Sequence, residues 1–246
     1  IGRAKEMLPQ FASARDFDCG LAVDGCRQLL WGAFKKVVIA DNCARLTASV
    51  ALSVDVLDGS VLLLGVFIYA IQIYADFSGY MDIACGCSQM LGIRLDENFN
   101  CPYFARSVSE FWRRWHMSLS SWFKDYLFYP VLRSNWNTRL RKCFANKYLM
   151  SVVPTSVALA IVWTATGLWH GASWGYVAWG VYYGIFMILA IVLAPLYDVV
   201  HKKWPRLVVS RGYVLFQTGR MGLYFRAKFC LTLVSYATDI RYNECI

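Results

Sequence analysis

Two of the three histidines sit where an imidazole could do acid–base chemistry. His170 lies in Val162-Trp-Thr-Ala-Thr-Gly-Leu-Trp-His-Gly-Ala-Ser-Trp-Gly175. Between Lys147 and Asp198 there is no Asp, Glu, Lys or Arg, so His170 is the only side chain there that titrates near neutral pH. An ionisable group in an apolar run of membrane length is a functional candidate by default, because placing it there is costly. His116 lies in Ser107-Val-Ser-Glu-Phe-Trp-Arg-Arg-Trp-His-Met-Ser-Leu-Ser-Ser-Trp-Phe-Lys-Asp-Tyr-Leu-Phe-Tyr-Pro130, on the aromatic edge between an apolar and a basic face. The third, His201, precedes Lys202-Lys203 and reads as a solvated residue of a basic loop.

Desolvation favours the neutral form of an imidazole at membrane depth. A neutral ring can take the proton from a hydroxyl that attacks an acyl ester or thioester, and such base catalysis supplies about 10²–10⁴ in rate. The bland alternative is an imidazole that hydrogen-bonds a backbone carbonyl in a helix turn. Asp76 and Asp82 add two carboxylates to an otherwise apolar segment, either lining a cavity or held by a partner helix. Membrane Asp and His also serve proton-coupled transporters. Residue types alone leave enzyme and transporter open.

The elements that must carry these groups are helical. Of 246 residues, 58% are hydrophobic and only 17% charged, against about a quarter in soluble domains. The fold class expected is all-α, a polytopic membrane bundle with one amphipathic or re-entrant helix. The net charge of +9 comes from basic residues beside apolar runs, which fits cytoplasmic retention of Lys and Arg rather than nucleic-acid binding. Nine cysteines without CxxC spacing give no basis for zinc or a disulfide framework, and they read as buried small apolar residues. No metal site is expected.

Residues 1–36 read as an interfacial lead-in ending at Lys35-Lys36, 37–197 as the motif-bearing core, and 198–246 as a basic loop and divergent tail. Apolar residues at Ile39, Cys43, Leu46, Val50, Val54 and Leu57 define one helical face, with Asp41 and Arg45 positioned to pair on the other. A long helix from Ser60 to Leu91 is expected to kink near Gly79. Ser107 and Glu110 form a capping box, which predicts a Trp-rich amphipathic helix running to Pro130. Two apolar helices, about Tyr148–Trp169 and Trp174–Tyr197, should meet at a turn around His170, with Gly171/Gly175 and Gly180/Gly184 as GxxxG spacings for close contact. The basic flanks of this pair belong on the cytoplasmic side, which puts His170 toward the far face.

Five stretches in one order resemble the membrane-bound O-acyltransferase family, in particular the polysaccharide acetyltransferases of its bacterial branch. They are Phe34-Lys-Lys-Val-Val-Ile-Ala-Asp-Asn42, Gln72-Ile-Tyr-Ala-Asp-Phe-Ser-Gly-Tyr-Met-Asp82, Asn98-Phe-Asn-Cys-Pro102, Phe111 to Leu127, and Gly167-Leu-Trp-His-Gly-Ala-Ser-Trp174. The resemblance implies a membrane enzyme whose invariant histidine matches His170 and whose second histidine matches His116. It implies acetyl transfer to an exported polysaccharide such as alginate, with Asp76, Tyr80, Trp112, Arg113 and Lys124 lining the cavity. No tightly bound cofactor is expected; the acyl donor would be acetyl-CoA or a carrier-linked acyl group on the cytoplasmic side. Partners would be the bilayer, the polysaccharide and periplasmic or extracellular acetylation proteins. D-alanyl transfer to teichoic acid is the alternative within the family.

Tyr129-Pro-Val-Leu-Arg-Ser-Asn-Trp136 departs from the glycine-rich stretch of the alginate enzymes, which bears on the acceptor more than on the chemistry. The helices that precede Phe34 in the family have no counterpart, and Met221-Gly-Leu-Tyr-Phe-Arg-Ala227 stands where a further apolar helix is expected. These departures lead to the expectation of an incomplete or frame-shifted core of a longer enzyme, with its activity as an isolated fragment left open.

Overall fold

A computed structural model describes residues 1–203 apart from 54, 106 and 172. The elements are α1 (Ala4–Ala12), α2 (Cys19–Ala33), α3 (Asp41–Leu52), α4 (Gly59–Met90), α5 (Val108–Arg114), α6 (Met117–Phe123), α7 (Tyr129–Arg133), α8 (Asn135–Lys142), α9 (Lys147–His170), α10 (Trp174–Val192) and α11 (Ala194–Lys203). π-helical turns link α2 to α3 (Phe34–Ala40) and α6 to α7 (Lys124–Phe128). Among the described residues α4, α9 and α10 are long and apolar enough to cross a membrane. The all-α expectation therefore holds. The chain divides into two compact units, residues 1–102 with 114–118, and residues 103–113 with 119 onward.

In the first unit the Asp18 side chain starts α2 by accepting from the amides of Gly20 (2.7 Å) and Leu21 (3.2 Å). The chain then stays helical through the π turn into α3, so the stretch that precedes Lys35 contains a helix packed along α4. The two run antiparallel on a shared glycine stripe. A Cβ on Gly25 would come within 2.6 Å of the Gly86 carbonyl oxygen, and one on Gly32 within 2.6 Å of that of Gly79. Both pairs repeat at seven residues, two helical turns, so each glycine meets its partner's backbone directly. Where water is absent, this kind of contact carries helix association.

The expected kink at Gly79 is not formed: α4 is one helix of 32 residues. Gly79 serves close approach rather than bending. α3 also packs on α4, where the Thr47 hydroxyl donates to Gln72 Oε1 at 2.6 Å. The expected Asp41–Arg45 pairing is also replaced, because Arg45 donates to Asn42 and Asp41 lies 3.4 Å from Lys36.

In the second unit the Ser107 hydroxyl accepts the Glu110 amide at 3.1 Å, as the capping motif requires. The helix it starts does not reach Pro130. It stops at Arg114, because His116 has φ +46°, a left-handed backbone that an α-helix cannot pass through. Helix resumes at Met117, and Pro130 falls in the first turn of α7, where its missing amide costs nothing. Ser134 caps α8, accepting from Asn137 at 3.2 Å. The buried Asn137 side chain donates to the carbonyls of Leu132 and Pro154, both at 3.4 Å, which ties α8 to α9.

α9 and α10 form the expected hairpin. A Cβ on Gly180 would meet the Trp163 carbonyl oxygen at 2.3 Å, and one on Gly167 that of Tyr176 at 2.5 Å. Gly180 and Gly184 pack as their spacing suggests, both against Trp163, whereas the contact across from them comes from Gly167 rather than from Gly171/Gly175. His201 belongs to α11, not to a loop. Of the cysteines, Cys19, Cys26, Cys87, Cys101 and Cys143 are exposed and Cys43 and Cys85 half-buried, against the expectation of buried residues. A thiol is apolar enough for the outward face of such helices. Met221–Ala227 and the tail lie outside the described residues.

Candidate active site

His170 is the last residue of α9, and its exposed ring stands against three aromatic neighbours. Trp179 meets it edge-on at 4.9 Å, Trp169 edge-on at 5.1 Å, and Tyr176 is stacked at 6.3 Å. The helix ends here because Gly171 adopts φ +156°, a conformation open to glycine, and a Cβ there would come within 2.7 Å of the Tyr176 ring. The chain thus turns away directly after the imidazole. The negative end of the α9 dipole lies at this last turn, where positive charge is favoured by about 0.3–1 kcal/mol.

Trp179 links His170 to Trp112. The two indoles lie 6.1 Å apart, and Trp112 also meets Trp163 at 4.9 Å and Tyr183 at 5.2 Å, all edge-on. The Trp112 Nε1–H is buried without an acceptor among the described residues. An indole donor is usually paired when buried, so this one is a candidate to meet a substrate oxygen. Arg113 and Lys124 are exposed, and Lys124 lies over the Tyr129 ring at 5.6 Å, with Arg133 at 5.3 Å from the same ring. The structure thus ties Trp112 to His170 through one shared indole and puts Lys124 in a separate cation–aromatic group.

His116 is built into the other unit. The loop after α4 runs antiparallel to the chain around it: the Asn100 amide donates to Arg114 O at 3.0 Å and the Met117 amide to Asn98 O at 3.1 Å, with Phe99 bridging Trp115. His116 is buried, with Nδ1 3.0 Å from Asn98 Oδ1 and its ring edge-on to Phe77 at 4.7 Å. Phe77, Phe99, Trp115 and Tyr74 make up the rest of the aromatic wall. A left-handed histidine is uncommon and costs of order 1–3 kcal/mol, a cost the surrounding bonds and ring contacts must offset.

Asp76 and Asp82 are held by adjacent lysines. Lys36 Nζ is 2.5 Å from Asp76, and Lys35 pairs with Asp82 and donates to the Ser78 hydroxyl at 3.1 Å. Gln28 also donates to Asp82 at 3.3 Å. The π turn lets two consecutive lysines reach carboxylates six residues apart on α4. Tyr80, one turn beyond Asp76, is 63% exposed.

Residues 23–218 match the model of MBOAT, the membrane-bound O-acyltransferase family. The chain belongs to the membrane-bound O-acyltransferase family. It is 36% identical over 231 residues to the "Probable alginate O-acetylase AlgI" of Azotobacter vinelandii, covering 91% of this chain and 43% of that protein. It is 35% identical over 190 residues to the "Peptidoglycan O-acetyltransferase" of Helicobacter pylori, covering 73% of this chain and 32% of that protein. Over 126 residues it is 38% identical to the "Teichoic acid D-alanyltransferase" of Streptococcus thermophilus, covering 50% and 28%. The chain spans less than half the length of each of these relatives.

Residue types alone left three groups unassigned. Asn98 lies inside a quoted motif, yet an Asn in a polar loop gives no sign that it will face a histidine 18 residues later. Lys35 and Lys36 were readable as a lead-in end and are instead the partners of the membrane carboxylates. Trp179 sits nine residues after His170, and only the hairpin brings it back to the ring.

Proposed function

We propose that the protein carrying this chain transfers an acetyl group to hydroxyls of an exported cell-surface polysaccharide. The observation that carries the reading is the exposed His170 imidazole at the end of α9, set in the aromatic cluster that Trp112 shares, within a chain of this family. His170 acts as general base. The acceptor hydroxyl oxygen attacks the carbonyl carbon of the acyl donor as its proton moves to the imidazole. The tetrahedral intermediate then expels the donor's thiolate, which takes up a proton, leaving an ester and a free thiol. The Trp112 N–H is suited to bind an oxygen of the donor or acceptor, and His116 assists at the donor or acceptor. Asp76 and Tyr80, along one side of α4, and Arg113 and Lys124, in the other unit, are each suited to polar contacts with substrate.

The donor is acetyl-CoA or a carrier-linked acyl thioester. Three helices long and apolar enough to cross a membrane support a multi-pass arrangement in the cell membrane. Arg133 to Lys147 before α9 and Lys202-Lys203 at the end of α11 flank the hairpin with positive charge, which favours the cytoplasmic side for both. The exposed Trp169, Trp174 and Tyr176 at the hairpin turn suit the opposite interface, where aromatic belts sit. Secreted or periplasmic acetylation proteins are the fitting partners.

The similarity to a teichoic acid D-alanyltransferase favours one second reading, D-alanyl transfer to teichoic acid. Polymer composition separates the readings. In cells carrying His170→Ala, with the membrane level of the protein checked, the surface polysaccharide should lose its ester-linked acetyl groups. Loss of ester-linked D-alanine instead supports the second reading, and unchanged composition in both sinks the acyltransferase assignment.

A further inference from the structure

We propose that Asn98 is a positioning residue for His116, holding the neutral ring with its proton on Nδ1 and its lone pair on Nε2. Its role in turnover rests on the reading of His116 as part of the acyl-transfer site; the hydrogen-bond argument does not.

Ser118 fixes the orientation of the Asn98 amide. A backbone N–H can only donate, and the Ser118 amide lies 3.1 Å from the end of the Asn98 side chain, so the atom there is the carbonyl oxygen Oδ1. The Ser118 hydroxyl donates to the same oxygen at 2.6 Å. Turned the other way, the amide would set its own N–H groups against that backbone N–H. The far side of Asn98 agrees, because Nδ2 lies 3.3 Å from the Asp96 carbonyl oxygen and 3.8 Å from Met81 Sδ, both acceptors. Two faces therefore fix the amide in one orientation.

With Oδ1 fixed as an acceptor, His116 Nδ1 at 3.0 Å must supply the hydrogen. In a neutral ring the lone pair then resides on Nε2. Asn98 is well placed to enforce this. It is 4% exposed, its own carbonyl oxygen takes the Met117 amide, and the loop is pinned again two residues on by the Asn100 amide. The Phe77 edge confines the ring. The Nε2 lone pair can then take a hydrogen bond from the donor or acceptor, assisting the transfer, while Nδ1–H keeps its partner.

The test uses the ¹⁵N-histidine-labelled protein in lipid nanodiscs, read by two-bond ¹H–¹⁵N correlation of the imidazoles. The His116 signals are those absent from His116→Gln. The expected wild-type pattern is a protonated-type Nδ1 and an unprotonated-type Nε2. Asn98→Asp, which still accepts at that atom, should keep the pattern and move the titration of His116 to higher pH, since a carboxylate favours the imidazolium. Asn98→Leu should lose the preference and lower kcat for acyl transfer by about tenfold or more, with the acceptor KM within about twofold. A proton on Nε2 in the wild-type spectrum overturns the proposal, and that spectrum needs no variant to fold beyond the one that assigns it. Full transfer activity in His116→Gln, with the Nδ1–H pattern present in wild type, leaves the hydrogen bond standing and overturns both its role in turnover and the catalytic reading of His116.

Discussion

Lys36 and Asp76 form an ion pair of 2.5 Å across the junction between the π turn and α4, while the adjacent Lys35 takes Asp82. The two pairs differ in enclosure. The Lys36 and Asp76 side chains are 43% and 49% exposed, and those of Lys35 and Asp82 only 13% and 23%. An exposed pair contributes about 0–1 kcal/mol, whereas removing one member of an enclosed pair leaves an uncompensated charge at a cost of about 3–5 kcal/mol. Lys35→Met should therefore lower thermal stability in detergent clearly more than Lys36→Met, and Asp82→Asn should recover much of the loss. Equal effects of the two lysine substitutions would contradict the difference in enclosure.

The glycine stripe between α2 and α4 gives a second expectation. A Cβ at Gly32 has backbone of α4 within 2.6 Å, so the helices must separate to admit it, whereas Gly59 has nothing within 4 Å. Gly32→Ala should cost about 1–3 kcal/mol by overpacking. Gly59→Ala, in the first turn of α4, should be neutral or mildly stabilising. Denaturant or thermal unfolding of the two variants side by side checks this. A Gly32→Ala protein as stable as Gly59→Ala would remove the close-packing argument.

Trp112 separates packing from chemistry. Trp112→Ala empties a site between Trp163, Trp179 and Tyr183 and should cost about 3–5 kcal/mol. Trp112→Phe keeps an aromatic ring and removes a buried N–H that has no acceptor among the described residues, so stability should change by less than about 1.5 kcal/mol. If that N–H binds substrate, Trp112→Phe should still reduce acyl transfer several-fold. Transfer rates of folded Trp112→Phe equal to wild type would place Trp112 in the packing alone.

The parts of this structure legible from sequence are those set by local pattern. The charge-free run between Lys147 and Asp198 specified a hairpin, and the Trp-His-Gly turn within it fell where the glycine allows a sharp exit. The Ser107 cap was likewise visible. What pattern could not show were the long-range contacts. The seven-residue glycine spacing on α2 acquires meaning only beside the same spacing on α4. Apolar periodicity carried the Ser107 helix through His116, because the break comes from hydrogen bonds to Asn98 and Asn100 in a distant loop. Gly79 illustrates the same limit. Its type permits a bend or a close approach, and only the backbone facing it decides.

The most direct test of the central claim is acyl transfer by the purified protein from an acetyl thioester to a hydroxyl-bearing polysaccharide, comparing wild type with His170→Gln in the same membrane mimic. General-base catalysis contributes about 10²–10⁴, so the account predicts a fall of at least about 100-fold in kcat with the fold intact by thermal unfolding. A folded His170→Gln protein that transfers acetyl groups within about twofold of wild type would contradict it.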